Sequence, residues 1–188
     1  MNATQWARSR SPQKMLAHLH KVNANERKVR LFICACWRVR APLIRTTEAI
    51  LAEIEAVETD QHHELPQNYF PTYRDYWQAA LRTREVHETW GKSRQPELCV
   101  SAAEQADLLR ELFGNPFRPV VFDPAWRTDT AVILAKQMYD AREFFAMPIL
   151  ADALQDAGCE NEHVLNHCRE PGAHVRGCWV CDLVLGFA

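Results

Sequence analysis

The chain has 188 residues, 47% of them hydrophobic and 24% charged, with a formal net charge of -2 and a pI near 6.4. That suits a soluble globular protein of one packed domain or two small ones, and gives no general pull toward nucleic acid or anionic membrane. The N-terminus lacks an apolar core of signal-peptide length, and the longest apolar run, Leu31 to Trp37, is too short to cross a bilayer.

Few glycines and many helix formers point to an all-α fold, a single-domain bundle of about eight helices. Ser11-Pro12, a serine cap followed by proline in the first turn, predicts a helix to about Lys21. A second helix is expected from after Asn25 to Pro42. Its middle is apolar on all sides, as in a buried central helix, although a run this short also fits a buried strand. Thr46 or Thr47 can cap a third helix through Val57. A polar loop carrying His62-His63 follows, then an aromatic helix over 72–90 and a connection over 91–99. The chain thus divides into an N-terminal helical half (1–90), that connection (nominally 91–100) and a C-terminal module (101–188).

Ser101 and Glu104 form a capping box for the first helix of that module, and Gly114 stops it. The proline-rich stretch 114–126 should be irregular. A helix capped by Thr128 or Asp129 comes next, with Ala131, Leu134, Ala135 and Met138 on one face, and Pro148 opens another that ends at Gly158. A short helix over Asn161–Cys168, a Glu170-Pro-Gly172 turn and a last helix from about Val175 to Leu185 complete the expected set.

The C-terminal stretch gathers Cys159, His163, His167, Cys168, His174, Cys178 and Cys181. Thiolate sulfur and imidazole nitrogen are preferred ligands of borderline-soft metals, and also the commonest nucleophile and base. His163-x3-His167 with Cys178-x2-Cys181 has the local spacing of a zinc site in reversed order. The bland reading, which the residue types favour over a metal, is buried thiols with histidines that cap helices or bond to backbone. Seven cysteines, an odd number, are simplest as reduced thiols in a cytoplasmic protein.

RKVRLFICACWRVR, together with LRELFGNPFRPVVFDPAW, MPILADALQDAGC and HCREPGAHVRGCWVCDLVLG, resembles a planctomycete family of helical proteins. The likeness covers about half the chain and brings no reaction or ligand with it. Cys159, His167-Cys168, His174, Arg176, Cys178 and Trp179 match its pattern, whereas His163 and Cys181 depart from it. The resemblance therefore favours Cys159, His167, His174 and Cys178 as the metal set, and thiolate and imidazole ligands suit zinc. Such a site would stabilise a short C-terminal unit by on the order of 10 kcal/mol.

Three functions fit these residues. The first is a non-enzymatic cytoplasmic interaction or regulatory module with a structural Cys/His cluster and a protein partner. The second is an enzyme, metal-assisted or thiolate-based, around Cys168, His174 and Cys178, with His167 or His174 as base and Asp182 orienting it. The third is a nucleic-acid binder using Arg27, Lys28, Arg30, Arg38, Arg40 and Arg45 with Arg74, Arg82 and Arg84, though no nucleic-acid motif accompanies them. Cys34 and Cys36, two apart on a helix, face different ways and read as core. No phosphate loop, nucleophile elbow, HExxH or calcium loop is present.

Overall fold

The computed structural model describes residues 1–40, 48–59 and 100–187. The expected Pro42 stop, Thr46/Thr47 cap, His62-His63 loop, aromatic helix and 91–99 connection lie outside these residues. Every regular element among the described residues is helical, so the fold is all-α, and Leu31–Trp37 is helix, not strand. The chain divides into two compact units, Met1–Arg110 and Glu111–Ala188.

The first unit starts with α1 (Ala3–Arg8), ahead of the helix expected from Ser11. Asn2 accepts from the Gln5 amide while the Gln5 side chain accepts from the Asn2 amide, at 2.9 and 3.0 Å. This is a capping box written with Asn and Gln, which closes two orphan donors of a very short helix. Arg110 ties down its other end, donating to the carbonyls of Trp6 and Ser9 at 3.1 and 2.9 Å. Helices α2 (Pro12–Lys21) and α3 (Glu26–Arg40) follow, with Ser11 and Asn25 accepting from first-turn amides.

The apolar centre of α3 is buried on all sides, Val29 to Cys36, with Cys34 and Cys36 in the core. Burial alone pushes the Cys34 thiol far up, with the nearby Glu58 charge adding to it. Helix α4 (Glu48–Glu58) packs on α3, and Arg38 spans the pair by donating to Glu58 at 2.6 and 2.9 Å and to Glu55 at 3.2 Å.

Helix α5 (Ala102–Phe113) opens on the expected capping box, with Ser101 N to Glu104 at 2.7 Å and Glu104 N to Ser101 at 3.2 Å. Its last turn, from Glu111, belongs to the second unit. Gly114 ends it at φ +60°, the left-handed conformation that favours glycine.

The second unit continues with a 3-10 turn (Pro124–Trp126), α6 (Asp129–Ala141), a 3-10 turn (Phe144–Ala146), α7 (Met147–Asp156), α8 (Glu162–Arg169) and α9 (Trp179–Leu185). Thr128 caps α6 through the Ala131 amide, and Gly158 at φ +87° closes α7 as the Cys159 amide bonds back to Leu154 O at 2.9 Å. Helix α8 lies along α7, and α9 lies against α6.

Two arginines close open helix ends. Arg176 donates to Tyr139 O at 2.9 Å and to Asp140 O at 3.3 Å. Arg127 donates to Val184 O and Leu183 O, both at 2.9 Å. The last helix begins at Trp179 rather than Val175. Gly177 sits at φ +96° and Cys178 is non-helical, so 170–178 is an ordered loop. That correction matters, because the loop delivers His174 and Cys178 to the site.

Candidate metal centre

Four side chains from four places in the second unit converge. Glu111 comes from the last turn of α5, His167 from α8, His174 from the loop, and Cys178 from the N-cap of α9. One donor atom from each lies within 4.8 Å of all the others. His174 Nδ1 is 3.1 Å from Glu111 Oε1, and His167 Nε2 is 3.2 Å from both Glu111 Oε2 and Cys178 Sγ. Around an ion with bonds of about 2.0–2.3 Å, tetrahedral donors stand about 3.3–3.8 Å apart. These three contacts lie just under that edge and the full set of four donors within 4.8 Å, a spread that small side-chain shifts can close around an ion, so these four groups could hold a metal.

Local sequence explains each placement. Glu111 sits among Leu108, Leu109 and Leu112, which are all buried, and this carries its carboxylate inward to 8% exposure. His167 shares α8 with buried Val164 and Leu165, on a helix capped by Asn161. Cys178 is fully buried, and Trp179 beside it lays its ring 5.1 Å from that of His167. Trp179 needs the space left by Gly114, where an added Cβ would meet its ring at 3.1 Å.

The electrostatics are coupled. Burial penalises the Glu111 carboxylate, yet the hydrogen bond to His174 and the charges of both histidines hold it below its ordinary value. Burial also opposes charge on His174, but its contacts with Cys178 and Glu111 outweigh that and raise it to about 10. His167 is driven down to about 4, chiefly by burial. The Cys178 thiol is pushed well up, first by burial, then by Cys181 and the Glu111 charge. Without an ion, the site therefore reads as a Glu111 carboxylate, a protonated His174, a neutral His167 and a thiol.

Of the residues picked out by sequence, the structure brings His167, His174 and Cys178 together. Cys159 is not among the four donors. It is buried at the end of α7, its thiol raised by burial. His163 sits 5.0 Å from the Trp179 ring, Cys181 donates to Met147, and Cys168 is buried with its thiol pushed far up by burial and by Cys178. Asp182 is fully buried.

Sequence reasoning missed Glu111, whose one signal is a carboxylate set inside an otherwise apolar helix face. Of the basic residues considered for nucleic acid, Lys28 and Arg30 are buried and Arg38 is paired with Glu55 and Glu58. Arg45, Arg74, Arg82 and Arg84 lie outside the described residues.

No described helix is long and apolar enough to cross a membrane. No family model, curated protein or solved structure matches this chain.

Proposed function

We propose that the chain is a non-enzymatic cytoplasmic interaction or regulatory module whose C-terminal unit is locked by one structural zinc ion, held by Glu111, His167, His174 and Cys178. The observation that carries this reading is the convergence of four donors, one per side chain, at a buried point. Structural zinc sites are closed by four protein ligands, whereas catalytic ones keep a position for water or substrate. A mixed set of one sulfur, two nitrogens and one carboxylate oxygen suits zinc, which is borderline in softness.

The state of the thiols supports the structural reading over the enzyme reading. Cys178 and Cys168 are buried and strongly disfavoured as thiolates, and the thiolate is the nucleophile. A protein partner would find large apolar side chains left in solvent, Phe145 at 80% and Ile149 at 57% exposure.

The test is elemental analysis of untagged protein purified without added zinc, with thermal unfolding before and after chelation. About one zinc per chain and a melting temperature that falls on chelation are expected. Protein that neither carries zinc nor gains stability when zinc is added would overturn the proposal.

A further inference from the structure

Cys178 has a second neighbourhood made of sulfur. It is the N-cap of α9 and Cys181 is the third helical residue, so both belong to the first turn of that helix. After burial, Cys181 is the neighbour that most raises the Cys178 thiol, and Cys181 itself donates to the Met147 thioether with Sγ to Sδ at 3.6 Å. All three side chains are buried, at 0, 0 and 1% exposure. A trigonal set of sulfurs with bonds of about 2.3 Å has edges of about 4 Å, close to the Cys181–Met147 separation.

We propose that Cys178, Cys181 and Met147 form a site for a soft monovalent cation of the copper(I) class. Thiolate and thioether sulfur select copper(I), whereas the nitrogen and oxygen donors on the other side of Cys178 suit a borderline divalent ion. On binding, each cysteine gives up its proton to solvent, Met147 stays neutral, and copper remains copper(I). The two sites share only Cys178, and either assignment can fail while the other stands.

The experiment is anaerobic titration of the metal-free full chain with copper(I) against a chromophoric copper(I) chelator. About one tightly held copper(I) per chain is expected. Cys181→Ser and the near-isosteric Met147→Leu should each weaken copper(I) binding roughly tenfold or more, since loss of a direct ligand should cost at least as much as loss of an outer-shell partner. Both should keep the zinc stoichiometry of the parent protein, with helicity checked by circular dichroism. Failure to retain copper(I), or equal affinity in the parent and both variants, would overturn the proposal. Copper(I) binding that depends on Cys181 and Met147, in a chain that takes no zinc, would support it and sink the zinc reading instead.

Discussion

Glu111 balances the charge of the centre. With His174 protonated and Cys178 a thiol, the metal-free set is neutral, because one carboxylate offsets one imidazolium. With zinc bound, one carboxylate and one thiolate offset the dication, so the set is neutral again. The difference is two protons, one from His174 and one from Cys178, released per ion. Zinc affinity near pH 7 should therefore rise by about a hundredfold per pH unit, and calorimetry in buffers of different ionisation enthalpy should count about two protons.

The metal-free protein should respond to pH in the opposite direction. A folded-state pKa of His174 raised from 6.5 to about 10 contributes stability that is complete below 6.5 and lost as pH rises toward 10. Between pH 6.5 and 9.5 the chelated protein should lose melting temperature, and the zinc-loaded protein should not. Parallel curves would contradict the assigned protonation states. Glu111→Gln removes the carboxylate from both balances. It should raise the zinc dissociation constant at least 10–100-fold, by the same comparison with outer-shell losses, in a competition titration. An unchanged constant would remove Glu111 from the ligand set.

At the scale of elements, what was legible in the sequence was local. Ser11, Ser101 and Thr128 each cap the helix they precede, and Gly114 and Gly158 each end one at positive φ, because caps and stops depend on a few neighbouring residues. Two elements escaped for equally local reasons. Helix α1, at six residues, is too short to show a helical period behind its Asn2/Gln5 cap, and Gly177 delays α9 by four residues.

The site was half legible. His167, His174 and Cys178 are close along the chain, but their fourth companion comes from a helix far earlier in it, and no periodicity links the two. Gly114 joins those scales, since it ends α5 just after Glu111 and admits Trp179 against His167. Gly114→Ala combines a left-handed alanine with a 3.1 Å approach to the Trp179 ring. It should cost about 1–3 kcal/mol in denaturant unfolding and weaken zinc binding along with it. A variant as stable as the parent would mean that the ring yields freely.

For the whole molecule, the candidate centre lies entirely within the second compact unit, residues 111–188, and joins the end of α5 to α8, the 170–178 loop and the start of α9. These are segments that α8 and α9, at eight and seven residues, are too short to organise by helix propensity alone. A metal clip is one of the ways small units make up for a limited core. The identity of the atoms around the ion decides whether these four residues are its ligands. X-ray absorption at the zinc edge of the loaded protein reads them directly. One sulfur at about 2.3 Å with three nitrogen or oxygen neighbours at about 2.0–2.1 Å is the predicted shell. Two or more sulfurs, which would bring in Cys159 or Cys181, or a six-coordinate shell of light atoms, would contradict it.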